Sequence, residues 1–167
     1  MLIRMDIKAI VVGGGPIASL VTLAPRKPSE GLATELPIRI GVVEATSISM
    51  GVAAHEQRPK THDLMLSVID RLEAELVGVA IVAVQGTTFF ANLMLRDHNG
   101  QTFDVDSRPS DAIALAVRAG VPIYADDSVL ATATIPDFDA VEKEEKSREL
   151  KEFHDFVESL SADDFNE

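Results

Sequence analysis

The stretch from Pro109 to Gly120 is bracketed by the two residues that most sharply limit a backbone. Proline suits the first turn of a helix, where its missing N–H costs nothing, and glycine accepts the left-handed conformation that ends one. Between them Ile113 and Val117 fall one helical turn apart, giving an apolar stripe. The spacing predicts a helix over Pro109–Ala119. It is entered from a strand at Thr102–Asp106 and followed by an apolar strand at Val121–Tyr124. Strand–helix–strand implies a parallel pairing with a right-handed crossover.

The rest of the chain punctuates itself as hairpins. Val77–Gln85 and Thr88–Asp97 flank Gly86, and Asn99-Gly100 turns the chain into Thr102–Asp106, which predicts a three-stranded meander. Asp6–Val12 and Ile17–Leu23 flank Gly13-Gly14-Gly15-Pro16; Pro25–Glu35 reads as a polar loop and Leu36–Gly41 as a further strand. Two helices are expected between these blocks. Glu44–Ala54 carries Ala45, Ile48 and Val52 on one face, weakened by Gly51. Leu64–Leu76 carries Leu64, Val68, Leu72 and Leu76 on a stripe, with Met65 and Ile69 beside it and Thr61 as its N-cap. Antiparallel hairpins plus one parallel unit make the fold α+β, a mixed, largely antiparallel sheet with helices packed on it. Gly13, Gly15 and Ala18 also fit a dinucleotide fingerprint, but that site needs a helix directly after the glycines. Ser19, Val21, Thr22 and Pro25 form helices poorly, so the hairpin is the expectation.

A length of 167 residues suits one domain with an appendage. Residues 1–135 form the expected domain and 136–167 an acidic extension, in which Leu150, Phe153, Val157 and Leu160 predict an amphipathic helix packed on its own domain or on a twin subunit. The absence of cysteine excludes disulfides, thiolate nucleophiles and cysteine-type zinc sites. No run of apolar residues is long enough to span a bilayer, so a soluble, cytoplasmic protein is expected. The net charge of −12 argues against nucleic acid until it is mapped. Residues 1–125 hold 13 acidic and 11 basic side chains, so the body is close to neutral and the acidity lies in the last quarter.

Polar residues with chemical capacity cluster where helices begin. One junction is Arg58-Pro59-Lys60-Thr61-His62-Asp63, a second is Asp104 to Asp111, and Glu44 opens a third helix. Helix starts favour anions, and side chains converge there without entering a core. Each residue also has a structural reading. Asp63 and Asp111 suit first helical turns by charge alone. Asp104 and Asp106 share one strand face, where a bidentate Arg108 or a hard divalent cation would relieve their repulsion. His62 is a candidate acid or base, or a helix-start hydrogen-bond partner. His55, His98 and His154 are expected to face solvent.

At these residues the sequence resembles a known family. Pro37-Ile38-Arg39-Ile40-Gly41 with Glu44-Ala45, Arg58-Pro59 with Thr61-His62-Asp63-Leu64, and the block from Asp106 through Arg108-Pro109-Ser110-Asp111-Ala112-Ile113 to Arg118 are similar to the bifunctional nuclease domain family. Val121-Pro122-Ile123-Tyr124 continues the likeness, which runs from about residue 6 to about residue 135. The resemblance implies a nuclease acting on RNA and DNA with little sequence preference. On that basis the expectation is metal-assisted phosphodiester hydrolysis. Glu44, Asp104 and Asp106 would hold Mg2+ or Mn2+, His62 or Asp63 would be the general base, Arg108 would stabilise phosphate charge, and Asp111 would complete the catalytic group. Arg58, Lys60 and Arg118 would track the substrate backbone. With one Tyr and no Trp, and no groove-reading helix, single strands are the favoured substrate. The alternatives are a non-catalytic ligand-binding or regulatory domain that recognises a small anion or partner carboxylates, and a homo-oligomeric scaffold.

Overall fold

The computed structural model describes residues 1–14, 17–27, 31–53 and 58–132, with side chains omitted at 52 and 53. They build a 7-stranded sheet in the order β3-β2-β1-β7-β4-β5-β6. The strands are β1 (Leu2–Val11), β2 (Ser19–Pro25), β3 (Leu36–Ile40), β4 (Glu75–Gln85), β5 (Thr88–Arg96), β6 (Thr102–Ser107) and β7 (Ile123–Asp126). The helices are α1 (Val42–Ala53), α2 (Thr61–Arg71), α3 (Pro109–Ala119) and α4 (Asp127–Thr132). The fold is α+β. Every pairing is antiparallel except β4 with β7.

The glycine segment joins two antiparallel strands, β1 and β2. The Gly13 N–H donates to Ser19 Oγ at 2.9 Å, and the chain then enters β2 rather than a helix. Among the described residues, the helix a dinucleotide cradle needs is replaced by a strand at Ser19–Pro25. The helix at Pro109–Ala119 is as expected, closed by Gly120 at φ 68°. The parallel partner differs from the simplest reading. After α3 the chain does not return beside β6 but inserts β7 between β1 and β4, pairing Ala80 with Tyr124 in parallel. Two antiparallel blocks are thereby welded into one sheet.

The core lies between this sheet and the helices. Val21, Leu23, Leu36, Val79, Ile81, Ala91 and Leu93 meet Ile48 of α1 and the buried run Ala112–Ala116 of α3. Both α1 and α2 pack against α3. One expected face is reversed. The helix ends at Arg71, so Leu76 belongs to β4, and Leu64, Val68 and Leu72 are exposed while Leu66 and Ile69 reach the core. The one-turn spacing was genuine, but a neighbouring stripe displaced by about two residues is the one turned inward. Leu72 is 73% exposed, so Leu72→Ser should change the unfolding free energy by no more than about 0.5 kcal/mol. Chemical denaturation checks this; a loss above that range would mean the residue is covered by something outside the described residues. Val52 and the expected helix within residues 137–167 also lie outside the described side chains.

Candidate functional site

Three helices bring their first turns into one polar cluster. Glu44, Asp63 and Asp111 each stand third in their helix, where a carboxylate interacts favourably with the helix dipole. Gly41 precedes α1 and leaves room for Glu44, since a methyl group there would collide with the Glu44 carboxylate. Lys60, rather than Thr61, caps α2: its N–H donates to Asp63 Oδ2 at 2.9 Å. Arg108 caps α3 with extended backbone, which projects its side chain beyond the helix end.

The side chains form a continuous hydrogen-bonded chain. Ser47 Oγ lies 3.0 Å from His62 Nδ1, and His62 Nε2 lies 3.2 Å from Asp111 Oδ1. Arg108 then clamps Asp111 through Nε to Oδ2 at 2.8 Å and Nη2 to Oδ1 at 3.2 Å, and reaches Glu44 Oε1 with Nη1 at 3.2 Å. Beneath these lies Arg118, whose side chain is only 7% exposed. Its Nε donates to Asp63 Oδ1, its Nη1 to the Ala114 carbonyl and its Nη2 to the Ser47 carbonyl, each at 2.9 Å. Gly51 leaves the space for this guanidinium, because a Cβ there would sit 2.9 Å from Nη1. The glycine that weakens α1 as a helix thus admits its principal crosslink.

Charge fixes the protonation pattern. Burial pushes the Asp111 carboxyl up, but hydrogen bonds from Arg108 and His62 and the Arg108 charge outweigh it and hold the group below the usual carboxylate range. Asp111 is therefore an ionised acceptor, so His62 Nε2 must carry the proton. In the neutral imidazole, Nδ1 is then the acceptor and the Ser47 hydroxyl is its donor. Asp63 is also held low, first by the Lys60 N–H and then, against the cost of burial, by Arg118. The Arg108 guanidinium is raised by its bonds to Asp111 and by Glu44.

The expected site residues divide into two groups. His62, Asp63, Arg108, Asp111 and Glu44 come together. Asp104 and Asp106 do not join them; they stand exposed on β6, the sheet edge, opposite Met94 and Asn92. The expected pairing of Arg108 with those two carboxylates is corrected: its partners are Asp111 and Glu44. No group of three His, Asp or Glu side chains gathers into a metal site among the described residues. Glu44, Asp104 and Asp106 therefore do not fit as the ligand set of a resident magnesium or manganese ion. Arg118, expected along a substrate, is instead an internal crosslink. Arg58 is exposed before α2, and Lys60 Nζ lies 3.2 Å from Met50 Sδ. His98 is exposed, while His55 and His154 lie outside the described residues. Ser47 was missed. Its signal was positional: three residues after Glu44, it shares that residue's helix face.

The comparisons with known proteins bear on the same residues. The bifunctional nuclease domain model matches residues 27–137, a span that holds every member of the cluster. The chain belongs to the bifunctional nuclease domain family. Two relatives from Mycobacterium tuberculosis, the uncharacterized proteins MT1877 (strain CDC 1551 / Oshkosh) and Rv1829 (strain ATCC 25618 / H37Rv), are each 43% identical to it over 135 residues. The alignment covers 78% of this chain and 80% of either relative. Within the family fold, α1, α2 and α3 supply the polar cluster. None of the described helices is long and apolar enough to cross a membrane.

Proposed function

We propose that this domain hydrolyses phosphodiester bonds of RNA and DNA with little sequence preference, as a cytoplasmic enzyme favouring single strands. The observation that carries the reading is the Arg108 guanidinium, 66% exposed yet fixed by Asp111 and Glu44 beside His62. A guanidinium held this way keeps outward N–H donors for a phosphate, and such a planar fork matches phosphate geometry. His62 supplies the proton-transfer group next to it. The near-neutral body makes a polyanion acceptable, and Arg58 and Lys60 flank the start of α2 where a backbone would pass.

Arg108→Ala is the direct test. The side chain is largely exposed, so the melting temperature should move little. Cleavage of labelled RNA and DNA should fall by about 10²- to 10³-fold, the scale for losing one preorganised charge stabiliser. Arg108→Lys should recover only part of that, because lysine keeps the charge without the fork. A chelator arm separates the metal-assisted form of the reading. Cleavage that survives chelation supports chemistry on the His62 cluster; cleavage lost and restored by magnesium or manganese would mean that a metal arriving with the substrate takes part.

A second reading has an observation in its favour. The carboxylates of Glu44, Asp63 and Asp111 are all engaged by arginines, as a binding module for a small anion would require. That reading expects saturable anion binding through Arg108 and no cleavage at all.

A further inference from the structure

We propose that Ser47 is the nucleophile of this site, forming a covalent phosphoseryl ester with His62 as its base and Asp111 as the carboxylate that orients the base. The proposal deepens the phosphodiester reading and rests on it for the substrate.

The geometry is that of an activated hydroxyl. A serine or threonine inside a helix ordinarily returns its hydroxyl to the carbonyl one turn earlier. Thr46 does so to Val42 at 2.8 Å, Ser67 to Asp63 at 2.9 Å and Thr132 to Ser128 at 2.8 Å. Ser47 is different: its hydroxyl turns out of its own helix to His62 Nδ1. In the neutral imidazole the proton order is Ser47 O–H to Nδ1 and Nε2–H to Asp111, which is the nucleophile–base–orienter arrangement. Arg118 Nη2 lies 3.4 Å from Ser47 Oγ, a cation placed to favour negative charge developing on that oxygen. Arg108, on the far side of Asp111, clamps the carboxylate that orients the base. His62 is 14% exposed, so the base is shielded without being sealed off.

The step balances without any oxidant or cofactor. Ser47 Oγ bonds to phosphorus and passes its proton to Nδ1 of His62. The bond from phosphorus to the leaving nucleoside oxygen breaks, and that oxygen takes the proton from Nδ1. Solvent water then gives a proton to Nδ1 as its oxygen attacks phosphorus. The Oγ–P bond breaks, and Oγ recovers the proton.

The test is labelling of the full chain with an aryl fluorophosphonate, read by peptide mass spectrometry, beside a cleavage assay on RNA and DNA. The probe needs no nucleic acid: the Oγ–P bond forms, fluoride leaves, and His62 takes the proton. The expected result is one adduct on the Ser47 peptide, with labelling and cleavage both reduced by at least about 10²-fold in Ser47→Ala and His62→Gln. Thermal melts establish that the variants are folded. If Ser47→Ala does not fold, Ser47→Cys replaces it. Its thiol should then alkylate faster with iodoacetamide than the same thiol beside His62→Gln. Equal thiol rates would overturn the proposal. So would a wild type that cleaves nucleic acid without labelling at Ser47, or a folded Ser47→Ala protein that cleaves at the wild-type rate. Labelling at Ser47 without cleavage of either nucleic acid supports the nucleophile and removes only the nuclease reading.

Discussion

Replacing Arg118 with alanine should lower the melting temperature by about 6–12 °C, at about 2–4 °C for each kcal/mol in a domain of this size. The side chain is almost fully buried and donates three hydrogen bonds of 2.9 Å, to Asp63 on α2, Ser47 on α1 and Ala114 on α3, with a longer one to Ser47 Oγ. Bonds to a charged donor contribute about 1.5–3 kcal/mol each, but they are not additive here. The two carbonyls lie within helices and the Asp63 carboxylate is partly solvated, so a total near 3 kcal/mol is expected. Arg118→Lys should restore little, since one ammonium cannot reach three acceptors on three helices. Acid dependence gives a second readout. Asp63 has its carboxyl lowered in the folded state, so its contribution is complete above the ordinary carboxylate value of about 4 and is lost as pH falls through the lowered one. Without Arg118 the depression should shrink, though the Lys60 N–H preserves part of it. Melts between about pH 5 and about pH 3 should therefore fall less steeply for Arg118→Ala than for the wild type. Parallel curves would show that Asp63 gains nothing from the guanidinium.

What could be read in the sequence followed from how local its causes are. Proline and glycine act on their own backbone, so α3 and the hairpin turns were legible from single residues. Helical periodicity identifies a stripe, but which stripe is buried depends on the partner surface. That is why Leu64, Val68 and Leu72 were assigned to the core and lie in solvent. The return of β7 beside β4 is likewise a long-range choice that no local signal carries. The same distinction runs through the site. His62, Asp63, Arg108 and Asp111 were found because helix starts announce themselves. The partners of Arg108 were misassigned because Asp104 and Asp106 are near in sequence, whereas Glu44 is brought close by the packing of α1 on α3. Ser47 sits in mid-helix, marked only by the helix face it shares with Glu44, and only the three-helix assembly turns its hydroxyl toward an imidazole.

Asp111→Asn should separate catalysis from architecture, because it replaces a charge and one acceptor with a neutral donor while preserving shape. Arg108 has only donors, and its closest contact with Asp111 is Nε to Oδ2 at 2.8 Å. Arg108 donates to both oxygens, so either orientation sets the amide NH2 against one guanidinium N–H. The orientation that keeps the shorter contact has the amide oxygen at the Oδ2 position and the NH2 group at the Oδ1 position, opposite His62 Nε2. The opposite orientation would set N–H against N–H at the shorter contact. With an amide donor facing it, Nε2 becomes the acceptor and the imidazole proton moves to Nδ1. That nitrogen then donates to Ser47 Oγ and can no longer take its proton. Cleavage should fall by about 10⁴-fold, the scale for a catalytic histidine held in the wrong tautomer. Fluorophosphonate labelling of Ser47 should fall with it, while circular dichroism shows a folded protein. Nitrogen chemical shifts of His62 report the tautomer directly, and they should exchange between the two ring positions in the variant. If the tautomer changes and cleavage does not, His62 acts on neither Ser47 nor water, and the cluster is a helix crosslink rather than a reaction centre.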